Sequence, residues 1–170
     1  MRNKKREKKK LKVVAVSGGF DPLHIGHIEM MKEARALGDK LIVIVNNDNW
    51  LKKKKGFAFM NEKERKAVIE AVRYVDEVIL TSHKENTEDM SVCKELEFLK
   101  PDTFANGGDR KPDGDPVPEV KLCEKLGITM AYNVGKSGKI QSSSWLLAKH
   151  NKRELCFCGS GKVYKKCHGA

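Results

Sequence analysis

No apolar run in this chain approaches the roughly 20 residues that a membrane-spanning helix requires. The basic residues at the start lead into no apolar core of a secretory signal, so cytoplasmic residence is the expectation. Aromatic residues do not interleave the early lysines, and a base-stacking arm is not indicated there. The cysteine count is odd, five, which argues against a disulfide framework. No internal repeat is evident. At 170 residues, one domain of ordinary size with short appendages is expected.

Charge is present in abundance but unevenly placed. The net charge is +11. Residues 1–12 carry eight Lys/Arg against one Glu, and residues 149–170 carry six against one. Residues 13–148 hold 20 basic and 21 acidic side chains and are nearly neutral. The chain therefore divides into a basic arm over 1–12, a domain over 13–150 and a short module over 151–170. Charge runs of this kind are solvated as a rule, and they also bind nucleic acid or acidic surfaces.

Apolar runs at 13–17, Leu41–Val45, Val78–Leu80, Thr103–Ala105 and Ile128–Tyr132 predict strands. Helical patterns lie near 27–37, 61–74, 88–98 and 117–126, with another starting near Trp145. Asn61 with Glu64 three residues on predicts a helix start, and Gly38 and Gly127 predict helix ends. Regular alternation predicts an α/β fold: a Rossmann-like, doubly wound parallel sheet, with ligands outside the carboxyl ends of its strands.

The turn after the first strand holds the most chemistry. Gly18-Gly19-Phe20-Asp21-Pro22-Leu23-His24-Ile25-Gly26-His27 joins a strand to a helix. Glycines alone would specify only a tight turn. Backbone N–H groups and a helix N-terminus also cradle phosphates, and His24 and His27 lie one turn apart on a single face. Both can donate to one anion, which suits phosphoryl or nucleotidyl transfer. No Walker loop or Gly-x-Gly-x-x-Gly fingerprint is present.

The string resembles the HxGH signature of the cytidylyltransferase-like nucleotidyltransferases. That resemblance implies attack of a phosphorylated or phosphonylated alcohol or sugar on the α-phosphorus of CTP or ATP, with pyrophosphate released. It places His24 and His27 on the triphosphate, supported by Gly18, Gly19, Phe20 and Gly26. Asp21 is expected to fix the turn or orient a donor, beside the nucleotide and acceptor. Lys52–Lys55 reads by composition as a solvated loop, whereas the family carries a catalytic lysine there, with Lys53 and Lys55 the candidates. Arg65 matches a family arginine that meets the acceptor phosphate, against the plainer reading of a surface helix arginine. Asn106, Gly108 and Asp109 resemble the family's Gly-Gly-Asp or Gly-Asp-Asp nucleotide element. Ser142, Ser143 and Ser144 are ordinary helix-cap residues that also match its serine loop. Gln141 departs from the family pattern, and Lys136 or Lys139 stands nearest to its missing arginine. Base choice leans slightly to CTP. Mg²⁺ is expected to arrive with the triphosphate, since no all-protein cage is evident. The resemblance also implies a homodimer.

Cys156, Cys158, Cys167 and His168 supply three thiolates and one imidazole, the donor set of a closed structural Zn²⁺ site. Gly159 and Gly161 permit the return of the chain. The segment resembles the SEC-C motif, a docking element in the protein-export motor. An alternative reading of the whole chain is a nucleotide-binding adaptor, reaching nucleic acid, ribosome or protein partners through its basic tails and zinc knuckle.

Overall fold

The computed structural model describes residues 10–107, 118–135 and 141–150, together with Ser160, Lys162 and Cys167. Five strands, β1 (Val13–Gly18), β2 (Lys40–Val45), β3 (Glu77–Leu80), β4 (Thr103–Gly107) and β5 (Thr129–Val134), form one sheet in the order β3-β2-β1-β4-β5. Every pairing is parallel. The order reverses at β1, so the crevice at its carboxyl end is flanked by β2 and β4. This is the switch point where open α/β sheets bind ligands.

Near-continuous apolar strands follow from burial on both faces. Val14, Val16, Val43 and Val45 face Met30, Met31 and Ala34 of α1 (Ile25–Arg35) and Ile69 of α3 (Glu62–Glu70). Ala15, Ile44 and Phe104 face Leu96 of α4 (Cys93–Leu99) and Cys123 of α5 (Val120–Leu126). Each large apolar side chain so enclosed contributes about 1.5–3 kcal/mol.

Three expected elements change. Lys52–Lys55 is not a loop but the last turn of α2 (Asp48–Lys55). Asn47 caps that helix by accepting from Trp50 N–H, the lysines complement its negative end, and Gly56 closes it at φ 84°. The helix expected over 88–98 begins only at Cys93, because the Asp89 carboxylate binds the N–H and hydroxyl of Ser91 in a turn. The first helix stops at Arg35, short of Gly38. Gly38 is needed instead for close approach, since a Cβ there would lie 2.6 Å from the Lys12 carbonyl oxygen. Asn61 and Gly127 cap as expected, with the Asn61 side chain accepting from Lys63 and Glu64 N–H.

α6 (Ser143–His150) supplies the helix expected near Trp145. The basic arm before residue 10 and most of the C-terminal module, including Cys156, Cys158 and His168, lie outside the described residues. No helix among the described residues is long and apolar enough to cross a membrane.

Candidate active site

The turn leaving β1 is shaped by two residues that leave no room for side chains near them. A Cβ on Gly18 would meet the Phe20 ring at 2.9 Å, and one on Gly19 would meet Leu51 at 2.9 Å. Phe20 adopts a left-handed backbone, φ 50°, which costs a non-glycine residue on the order of 1–2 kcal/mol. Its ring is buried and sets edge-on to His27 at 4.9 Å.

His24 is the N-cap residue of α1, and His27 lies one turn further on. Their rings stack, with centroids 3.7 Å apart and planes 19° from parallel. His27 Nδ1 accepts the His24 backbone N–H at 3.4 Å, so its proton resides on Nε2. Burial, then His24, then Lys55 lower the His27 pKa to about 3. Burial and Lys55 lower that of His24 as well. Both rings are therefore neutral at pH 7, and each offers one N–H donor. Gly26 permits the stack: a Cβ there would lie 3.2 Å from the His24 ring.

Lys55, at the end of α2, donates to the Asp21 carbonyl at 3.2 Å. Burial lowers its pKa, while Asp21 opposes that shift. Of the two candidate lysines, the structure brings Lys55 to the histidines and leaves Lys53 exposed on the helix.

Asp21 is fully buried, and its carboxylate accepts from Phe59 and Met60 N–H at 2.8 and 2.7 Å. Both carboxylate oxygens are thus committed to the loop after α2. Arg65 is not the surface helix arginine that was its plainer reading. Its residue is 1% exposed, and its guanidinium donates to the carbonyls of Met60, Gly19 and Asn46 and to the Asp48 carboxylate. A planar fork of fixed donors suits such a knot.

The serine loop closes the other side. Ser143 donates to the Pro22 carbonyl at 2.9 Å, tying the start of α6 to the histidine turn. Ser142 and Ser144 share a hydrogen bond at 3.0 Å, and Ser142 N–H is held by Gln141. Two helix N-termini, α1 and α6, consequently adjoin.

Beyond β1 the crevice holds unspent polar groups. Asn46 Oδ1 and Asn106 Nδ2 are buried without a partner in the described structure, as is His24 Nδ1. Asn106 was expected at the nucleotide, whereas sequence reasoning passed over Asn46. Its signal was its place immediately after the β2 apolar run. Asn46 stands one residue past β2, and Asn106 lies in β4 at the register shift between Ala105 and Gly107. Gly108 and Asp109 lie outside the described residues.

A protein-family model described as cytidylyltransferase-like matches residues 15–125. The chain belongs to the cytidylyltransferase-like family. It is 42% identical over 123 residues to an FAD synthase of Pyrococcus horikoshii, covering 72% of this chain and 78% of that protein. An FAD synthase of Thermococcus sibiricus is 37% identical over 141 residues, covering 78% of this chain and 92% of its own. An ethanolamine-phosphate cytidylyltransferase of Dictyostelium discoideum is 39% identical over 122 residues, covering 69% of this chain. The chain spans only 32% of that longer relative and 65% of the Pyrococcus abyssi FAD synthase.

Among solved structures, the lipopolysaccharide core biosynthesis protein of Thermoplasma volcanium aligns with a TM-score of 0.57 at 32% identity. That alignment covers 73% of this chain and 95% of that one. A SEC-C motif matches residues 153–170. Of its four candidate metal ligands only Cys167 is described, and no metal-holding cluster occurs among the described residues.

Proposed function

We propose that the chain is a nucleotidyltransferase. An oxygen of an acceptor phosphate attacks the α-phosphorus of a nucleoside triphosphate, a new P–O bond forms, and the α–β bridging P–O bond breaks to release pyrophosphate. The observation that carries this reading is the neutral, stacked His24–His27 pair, set at a helix N-terminus beside Lys55. Neutral imidazoles donate hydrogen bonds without needing to shed a proton. Lys55 and the helix ends supply the positive field.

In this reading His24 and His27 hold phosphate oxygens, with backbone at Gly18, Gly19, Phe20 and Gly26 lining the turn. Ser142, Ser143 and Ser144 present the α6 N-terminus to the triphosphate. Asn106, with Gly108 and Asp109, faces the nucleoside. Asp21 and Arg65 hold the turn in place for acceptor and nucleotide. Mg²⁺ travels with the triphosphate. Cys156, Cys158, Cys167 and His168 fit a structural Zn²⁺.

The relatives named FAD synthase match over most of their length, and FAD joins an AMP unit to a flavin phosphate. ATP with FMN is therefore the first substrate pair, and CTP with phosphoethanolamine the second. Soluble substrates and thiol cysteines accord with the cytoplasm. The homodimer rests on the family resemblance. The basic arm adds a salt-sensitive contact for nucleic acid or an acidic partner, and its deletion tests that contact separately.

Pyrophosphate release with each pair tests the reaction. His24→Ala and Lys55→Ala should each lower turnover about 100-fold or more, whereas Lys53→Ala should stay within about threefold of the parent. Equal losses at Lys53 and Lys55 would remove the geometric argument for Lys55. Failure of both triphosphates to bind would end the enzyme reading.

A further inference from the structure

Beyond β3 the chain turns back onto the start of α2 and ties itself there at several points. Thr81, buried immediately after β3, donates its N–H to the Val45 carbonyl, and its hydroxyl accepts the Asn47 N–H at 3.0 Å. The His83 ring spans the loop, with Nδ1 2.8 Å from the Thr81 hydroxyl and Nε2 2.9 Å from the Ser91 carbonyl. A carbonyl only accepts, so Nε2 carries a proton, and with the ring neutral Nδ1 accepts the Thr81 O–H. The His83 carbonyl accepts the side-chain amides of Asn47 and Asn49 at 2.8 and 3.1 Å. The Met90 carbonyl accepts the Trp50 indole N–H at 2.8 Å. The loop is itself held in shape, since Glu95 binds the N–H and hydroxyl of Ser82 and Asp89 binds those of Ser91.

These contacts fix Asn47, Asn49 and Trp50, the N-cap and first turn of the helix whose last residue is Lys55. From Asn47 to Lys55 the helix runs about 12 Å, so a tilt of about 5° at its start carries its end through about 1 Å. A misplacement of that size costs up to about 100-fold in rate. We propose that His83 is a positioning residue for Lys55: through Thr81 and Asn47 it sets how α2 enters the site. On the α3 side Arg65 and Glu62 hold Asp48, a point about which the helix can pivot once the His83 contacts go. The part played by Lys55 in turnover rests on the proposed function, whereas the link from His83 to Lys55 rests on geometry alone.

The test is a double-mutant cycle on the full chain, read by pyrophosphate release with MgATP and FMN and with MgCTP and phosphoethanolamine. The Lys55 titration is followed in parallel by carbon NMR of its ε-methylene. His83→Leu should lower turnover about tenfold in the parent. Where Lys55 is already replaced by Ala, the same change should cost less than about twofold, because the two residues act along one path. His83→Asn, which places an acceptor near the Nδ1 position, should recover most of the loss. Thr81→Val removes the hydroxyl with little change of shape and should reproduce the loss, which keeps the test decisive if the Leu variant folds poorly. Burial holds the Lys55 ammonium below the ordinary lysine range, so a loosened α2 should move its titration upward in both variants. Equal losses in the parent and Lys55→Ala backgrounds would make His83 a general brace and overturn the proposal, as would an unmoved Lys55 titration. A Lys55 titration that moves in a chain without turnover on either pair would keep the link and remove the nucleotidyl-transfer reading instead.

Discussion

The two sides of the β1 carboxyl end are built on opposite principles. On the α2–α3 side, Asp21 and Arg65 are buried and spend their polar atoms on backbone and on Asp48. At the ends of β2 and β4, Asn46 and Asn106 are buried too, yet each keeps a polar atom without a partner among the described residues. A satisfied buried network fixes geometry, whereas an unsatisfied group is a cost that persists in native structures chiefly where function uses it. The first side is framework. The second leaves buried polar atoms unspent among the described residues.

The largest expected effect tests the framework. Arg65→Ala would strand Asp48 and three carbonyls, and removal of one partner from a buried ionic knot costs about 3–5 kcal/mol. Urea titration of the variant should show that loss, and a change below about 1 kcal/mol would show the knot to be dispensable. Asn46→Ala and Asn106→Ala should behave in the opposite way. Deleting an amide with an unpaired atom should leave stability within about 1 kcal/mol while weakening triphosphate or acceptor binding about tenfold. Calorimetry with each substrate alone would assign each amide to its ligand. Substantial unfolding with unchanged binding would move the amides into the framework.

The smallest effect concerns pH. The folded pKa of His27 is about 3, below the usual value near 6.5, so the unfolded chain binds more protons between those limits. Stability therefore rises with pH across that window and is lost as pH falls through it. Between pH 7.5 and 6 the ligand-free chain should lose about 1 kcal/mol through His27. His27→Asn should flatten that part of the profile, and an unaltered profile would mean that the ring is not held neutral.

Much of this arrangement was legible beforehand. The apolar runs located all five strands, because strands buried on both faces need unbroken hydrophobic stretches. His24 and His27 could be paired by spacing alone. The α2 helix could not be seen past its charge: Asn47, Asp48 and Gly56 marked its ends, but four lysines in a row resemble a solvated loop. The burial of Arg65 was hidden for a related reason. Its position in an otherwise polar helix start gives no hint that the carbonyls of Gly19 and Asn46 converge on it from distant turns. Asn46 was missed because an unpaired buried atom exists only in three dimensions.

The start of the described chain has a bearing on how the molecule can be held. Lys12 N–H is fixed by Asp39, and Asp102 receives both the Val13 N–H and the Lys10 ammonium. These anchors sit where the strands begin, whereas His24, Lys55 and Ser143 gather where they end. Six strand residues separate the two poles in β1, about 20 Å of extended chain. The first described residues are therefore pinned at the pole away from the crevice, and a load applied to them runs along β1 before it reaches the histidine turn.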